Sequence, residues 1–386
     1  MHKTRNIAVI GAGTAGLASA IALAQKGHSV VVFEKHPRIA PVGAGILLQP
    51  AGIDALAELK CMSAFRDVGS PVKQLQVHNH RGRRLVDIAY DPHNHAWGVS
   101  RGKLTAVLQA RARELRVAVE LGTSVTGVVD IRSESWVMLE TVDESRKPRN
   151  WLFDAVVLAC GSNSELAARA GFGKPAEPYA WGALNGLIAV DEWQHEKELQ
   201  QRVHGAHTMM GLLPSGRENG KLLLSFYWSL LASEYECWVD RDWSAFIAQT
   251  TKLWPESWPV MARLRREDLT FARYRHATPD TYAIERVALV GDAAHAMSPQ
   301  LGLGSTLALD DALILADSLT AEPNIAAGLA DYSARRMPAA RGKQRISLAL
   351  TPLFQSRLPA GVRDPLFIVG QYVPGVERMM SASLGL

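Results

Sequence analysis

The run Gly11-Ala12-Gly13-Thr14-Ala15-Gly16 constrains this chain more than any other stretch in it. It follows the apolar Ile7–Ile10 and precedes Leu17–Lys26, whose Ala, Leu and Ile read as a helix closed by Gly27. Ser29–Phe33 reads as a second buried strand and ends at Glu34. In such a unit the first glycine permits a tight turn and the second lets the backbone approach a pyrophosphate. The third lets helix and strand pack closely. The helix N-terminus offers free N–H groups and its positive dipole end to phosphates, and Glu34 is the carboxylate that would accept from ribose hydroxyls. Alone, the run does not separate NAD from FAD.

A second motif does. Val287–Val290 reads as a buried strand breaking into Gly291-Asp292-Ala293-Ala294-His295, followed by Pro299 and then Gly302-Leu303-Gly304-Ser305-Thr306 opening a long helix to about Leu319. Asp292 is placed to accept from a ribityl hydroxyl. Gly302–Gly304 would aim backbone N–H groups at a flavin edge, which turns anionic on reduction and is stabilised by a helix N-terminus. FAD is therefore the expected cofactor.

With these motifs and Arg101 in Ser100-Arg101-Gly102-Lys103-Leu104, the chain resembles the class A flavin monooxygenases, the p-hydroxybenzoate hydroxylase-like aromatic hydroxylases. The resemblance runs from near residue 7 to about 320. It implies an α/β fold: a Rossmann-like FAD-binding domain with an inserted antiparallel β-sheet substrate domain and C-terminal helices. It places Gly11, Gly13, Ala15, Gly16, Glu34, Lys35, Gly45, Arg101, Asp292, Pro299, Gly302, Leu303, Gly304 and Ser305 at the cofactor. Arg101 would reach its phosphates, Gly43–Ile46 would pass the isoalloxazine, and Pro299 would face the ring where a C4a-hydroperoxide forms. NADPH or NADH would act as a transient reductant, since no second GxGxxG follows a strand. Two departures stand out. Cys160-Gly161 replaces the Asp-Gly pair usual after the middle parallel strand, with Arg169 later than the family's arginine, and Thr306 stands where Asn is common. A cysteine at a strand end reads as a small buried hydrophobe.

Between the motifs the pattern changes. Val72–Asn79 with Arg84–Ala89, and Val125–Val129 with Trp136–Thr141, read as strand pairs, the latter closed by a charged loop Asp143–Asn150. Gly186–Val190, Thr208–Leu213 and Leu222–Trp228 also read as strands, with a loop Pro214–Gly220 joining the last two and tryptophan-rich helices after them. The expected partition is 1–70, 100–172 and 285–345 for the FAD domain, 71–99 and 173–284 for the substrate domain, and a C-terminal segment 346–386. Prolines 352, 359, 365 and 374 would break that last segment into short helices over the substrate domain or a dimer surface, so a homodimer stays open.

Composition narrows the class. The net charge is +4, from 42 basic and 38 acidic residues among 386, without the like-charge runs of nucleic-acid binders. Three scattered cysteines with no CxxC exclude a disulfide framework or zinc ribbon and fit a reducing compartment. No stretch of about 20 apolar residues would span a membrane. A cytoplasmic enzyme is expected, acting with molecular oxygen on an aromatic or apolar small molecule. Trp181, His207, Met209, Tyr227 and Trp228 are the expected pocket wall. Pro299, His295, Tyr227 and His207 are the candidate catalytic residues, with Tyr227 or His207 as acid/base and His295 leaning to a structural role. A reductase or halogenase of the same fold, or a flavin-binding protein without turnover, are the competing readings.

Overall fold

The computed structural model describes residues 3–39, 45–131 and 135–371. Gly43, Ala44 and the tail containing Pro374 lie outside them.

The short apolar runs become a six-stranded sheet in the order Ala283–Ile284, Val287–Leu289, Ala155–Leu158, Asn6–Ile10, Ser29–Phe33, Ala118–Glu120. All neighbours are parallel except the first pair. Ile7, Val9, Val32 and Ala155–Leu158 are buried because the three-stranded sheet that carries Val137, Leu139 and Phe153 covers one face and helices cover the other. Helices Thr14–Gln25, Arg101–Glu114 and Gly304–Ala321 supply that cover, and each begins at the carboxyl ends of the strands.

Buried Arg5, just before the first strand, fixes the far end of one of them. Its guanidinium donates to the carbonyls of Leu319, Glu322 and Pro323. A cation at a helix C-terminus satisfies carbonyls the helix leaves open and complements its dipole. The helix Gly304–Ala321 is thus held at the end remote from the site.

A seven-stranded sheet lies against this layer, in the order Thr270–His276, Glu177–Val190, Lys221–Leu231, Thr208–Glu218, Glu198–His204, Gln74–Asn79, Arg84–Ala89. It is antiparallel apart from one parallel pair, Glu198–His204 with Gln74–Asn79. One face carries Leu184, Met210, Leu212, Phe226 and Trp228 into a core beneath Tyr235–Val239, Trp243–Leu253 and Trp258–Met261. The other face looks toward the FAD layer. There Ser225 Oγ accepts from the Gly45 N–H at 2.8 Å.

Several expectations are corrected. The charged loop Asp143–Asn150 is partly the strand Pro148–Phe153, the edge of a three-stranded sheet with Trp136–Val142 and Ser124–Ile131. The loop after Leu213 is instead strand as far as Glu218, with an irregular register between Pro214 and Arg217. Glu198–His204 escapes the sequence reading, as do Gly45–Leu48 and Ala96–Ser100, which pair in a small sheet with Ser70–Val72. Pro352 does not interrupt: Ile325–Phe354 is one 30-residue helix through Pro338 and Pro352, so the boundary expected at 345/346 falls inside it. Ala360–Gln371 follows, and its Phe367 is buried against Val77, Leu85 and Met209. Among the described residues no helix is long and apolar enough to cross a membrane.

Candidate functional site

At the carboxyl ends of the parallel strands lies a cavity of ≈ 350 Å³, lined by Ala12, Gly13, Glu34, Arg38, Arg101 and Thr105 among others. Each wall follows from local sequence. Gly16 is required because a Cβ there would stand 1.8 Å from the Gly11 carbonyl oxygen. Gly13 is different: a Cβ would meet nothing within 4 Å, so its missing side chain leaves open space. The helix starting at Thr14 has no side-chain cap and no acid in its first turn. Its N–H groups are therefore free for an anion. Glu34 accepts from the N–H groups of Ala12 at 2.9 Å and His36 at 3.0 Å, which ties the end of the second strand to the fingerprint. Arg101 is exposed at the start of its helix, and no carboxylate among the described residues pairs with it. Lys35 is exposed beside the cavity but does not line it.

The two motifs meet in space. Gly291 has φ +60°, and a Cβ on it would lie 2.6 Å from the Ala15 Cβ, so the second motif packs on the first helix only through glycine. Asp292 is exposed, and its carboxylate lies 3.9 Å from where a Gly304 Cβ would be. The helix Gly304–Ala321 begins after Gly302 and buried Leu303 with no side-chain cap and no acid in its first turn. Ser305 is half-buried in that turn. Thr306 has a structural duty: its Oγ1 accepts from the Gln49 N–H at 3.1 Å, while Gln49 Oε1 accepts from Tyr90 Oη at 2.9 Å.

A cavity fits the adenosine and pyrophosphate of FAD, open space sits at Gly13, and a second uncapped helix start stands beside a free carboxylate. The residues present therefore suit FAD.

His295 does not reach the cavity. It is fully buried, and its Nε2 lies 2.6 Å from Asp311 Oδ2. Asp311 also accepts from the Gly291 N–H and from Arg336 Nε, both at 2.8 Å. Burial pushes the Asp311 carboxyl up, but His295, Arg336 and the Gly291 N–H together bring it below the ordinary range. Sequence reasoning missed Asp311 and Arg336. The signal was present, since Asp311 interrupts the apolar stripe Leu307, Leu315 at i+4 spacing.

The expected pocket wall splits. Trp228 points away from the FAD layer and packs edge-on against Phe246. Trp181, paired with Leu231, shares the inner face with Tyr227. Met209 is also on that face but is packed among Val77, Leu85 and Phe367. His207 is exposed at the corner between two strands, near His204, and is not brought to the other candidates. Tyr227 is. Its ring leans over Gly211, where a Cβ would come within 2.3 Å of it, and its buried hydroxyl has no close hydrogen-bond partner among the described residues, although the Gln201 side chain is near enough to interact with it. Burial drives its phenol far above the usual value, so it stays protonated. Burial also pushes Tyr274, beside Asn185, up to about 12.

Cys160 is partly buried, and burial pushes its thiol up against a hydrogen bond from Ser164. It is a neutral thiol. Arg169 pairs with Glu165 on the surface. A small cavity of ≈ 20 Å³ beside Gly161 and Ser164 is too small for a ring.

Residues 4–346 match the family model described as an FAD binding domain. The chain is 27% identical, over 97% of its length and 94% of the relative's, to a probable 2-heptyl-3-hydroxy-4(1H)-quinolone synthase of Rhodococcus erythropolis. It is 28% identical, over 85% of each chain, to an FAD-dependent urate hydroxylase of Klebsiella pneumoniae. Among solved structures, Klebsiella pneumoniae HpxO complexed with FAD and uric acid superposes with a TM-score of 0.81 at 21% identity, covering 98% of this chain and 96% of that one.

Proposed function

The chain belongs to the FAD binding domain family, and from that membership we propose that it hydroxylates an uncharged, planar aromatic or nitrogen-heteroaromatic ring held against the inner face of the seven-stranded sheet. It is an FAD-dependent monooxygenase that consumes NAD(P)H. FAD, when bound, supplies acceptance of hydride from the nicotinamide and activation of dioxygen. The rest falls to this chain's residues. The fingerprint helix and Arg101 hold the phosphates, Glu34 the ribose, and Asp292 the ribityl chain. The uncapped helix start at Gly304 stabilises negative charge at the ring edge. The Pro299 turn is the near wall for the substrate.

The observation that carries the substrate class is the Tyr227 hydroxyl. It is buried, without a close partner among the described residues, and on the same face as Asn185 and Ser225. A buried donor left unmade costs about 1–3 kcal/mol, which a substrate oxygen or ring nitrogen would recover. Kept protonated by burial, it donates to the ring and is not a base. The surrounding inner face is largely apolar: Leu75, Val77, Leu213 and Tyr90 exclude water, Asn185 and Gln201 add amides, and the charge of Arg101 is felt at Tyr274. The relatives named for a quinolone and for urate are consistent with such rings. We assign His295 to holding Gly291 and His207 to the sheet corner, leaving Pro299 and Tyr227 as the residues at the reacting ring.

The test is direct. The purified protein should carry a flavin spectrum, and NADH or NADPH oxidation should rise with uncharged aromatic substrates more than with their carboxylated analogues. A preference for carboxylates would overturn the substrate class, and loss of the flavin would overturn the whole reading.

A further inference from the structure

Pro299 opens a short turn, Pro299–Leu301, and both its flanking residues are tied from behind by one helix. Ser347 Oγ lies 3.1 Å from Ser298 Oγ, and it reaches the Ser298 carbonyl at 3.1 Å and Gln300 Oε1 at 3.2 Å. Gln344 Nε2 donates to the carbonyls of Ala277 at 2.8 Å and Ala296 at 3.2 Å, just before the turn. Gln355 completes the set. Its Oε1 accepts from Gln300 Nε2 at 2.7 Å and Tyr179 Oη at 2.8 Å, and its Nε2 is 3.5 Å from Ser229 Oγ.

Gln344, Ser347 and Gln355 recur at helical spacing, so they form one buried polar stripe on the helix Ile325–Phe354 and its C-cap. An amphipathic helix packed on a core places apolar residues on such a stripe, and buried polar groups are tolerated only when fully hydrogen-bonded. Gln355 uses both lone pairs of its amide oxygen on two elements, the turn and the sheet, whose own side chains Gln300 and Tyr179 also meet there. Tyr179 and Ser229 belong to the substrate sheet, and Ser229 lies two residues along the same strand and face from Tyr227. Gln300 belongs to the turn.

We infer that Gln355 is a positioning residue, whose amide together with Tyr179 fixes the distance between the Pro299 turn and the substrate sheet. This rests on the proposed function, in which the substrate ring lies between those two surfaces. In the productive reaction NAD(P)H, a proton, dioxygen and substrate give NAD(P)+, water and a product with one new oxygen. If the ring is held loosely, NAD(P)H, a proton and dioxygen give NAD(P)+ and hydrogen peroxide instead. Gln355 therefore governs the share of reductant that ends in product.

The test compares holoenzyme, Gln355→Leu and Gln355→Glu. A glutamate keeps the acceptor for Gln300 and Tyr179, whereas leucine keeps only the volume. Gln355→Leu should retain its flavin, oxidise NAD(P)H, and lose product per NAD(P)H severalfold as peroxide rises. In the same variant without substrate, amides of 296–303 should exchange hydrogen faster while those of 14–25 do not change. Gln355→Glu should restore both. Unchanged exchange at 296–303, or faster exchange with unchanged coupling, would overturn the inference. Tyr179→Phe, which removes one of the two donors, serves if Gln355→Leu does not fold. Failure of the proposed function appears differently, as a wild type that makes no hydroxylated product, and the exchange comparison holds regardless.

Discussion

His295 Nε2 and Asp311 Oδ2 stand 2.6 Å apart with both side chains fully buried, and the same carboxylate holds the Gly291 N–H. The pair therefore fixes the bend at Gly291 that precedes Asp292. Arg336 Nε holds the other oxygen of that carboxylate at 2.8 Å, and breaking such a buried ion pair from one side costs about 3–5 kcal/mol. Asp311→Ala should lower the thermal midpoint and also shed flavin. The pH sign follows from the carboxyl's depressed pKa: its stabilisation is complete above about 3.9, the ordinary aspartate value, and fades as pH falls through the lower folded value. Acid unfolding should thus be less steep below about pH 4 in Asp311→Asn than in the wild type. Equal steepness would mean the pair does not carry that stability.

Gly13 and Gly16 should part company on substitution. Gly16→Ala puts a Cβ 1.8 Å from a backbone oxygen and should prevent proper folding. The Cβ of Gly13→Ala meets nothing within 4 Å among the described residues. That variant should melt like the wild type as apoprotein yet lose at least about tenfold in FAD affinity, some 1.4 kcal/mol. Flavin titration of the apoprotein decides it, and undiminished affinity would remove the phosphates from this helix start.

Tyr227→Phe removes a buried hydroxyl that has no close partner among the described residues. Stability should therefore hold or rise, because an unsatisfied donor disappears. The hydroxylation rate should nevertheless drop by about 100-fold or more, the scale of a lost proton-donating contact. A variant that hydroxylates normally would place the substrate elsewhere. Because burial keeps this phenol protonated, no limb of the wild-type pH–rate profile near neutrality should vanish in Tyr227→Phe.

Arg5→Met would leave the carbonyls of Leu319, Glu322 and Pro323 without their donor. A loss of about 1–3 kcal/mol is expected on denaturant unfolding, with the bound-flavin spectrum unchanged. A shifted flavin spectrum would show that the far end of this helix reaches the ring after all.

Much of this was readable because backbone demands are local. Gly11, Gly16 and Gly291 announce close approaches that no other residue permits. What escaped depended on partners distant in sequence. Pro148–Phe153 was hidden because it begins with proline and is polar, which an edge strand tolerates. Glu198–His204 alternates Leu199 and Val203 with polar residues, but Gln201 breaks the apolar set. Pro352 reads as a breaker, yet it sits near the end of a helix whose packing outweighs a local cost of about 3 kcal/mol. Tyr227 and Trp228 are adjacent in sequence and so face opposite ways, one to the site and one to the helical core. Asp311 and the stripe of Gln344, Ser347 and Gln355 look like unremarkable helix residues until burial is known.

Isotope labelling tests the central claim most directly. With NADH or NADPH, an uncharged aromatic substrate and 18O2, the flavin-loaded protein should form a hydroxylated product carrying one 18O atom, with the other oxygen of O2 leaving as water. Product whose new oxygen comes from water, or reductant consumed with every oxygen recovered as peroxide across all such substrates, would contradict it.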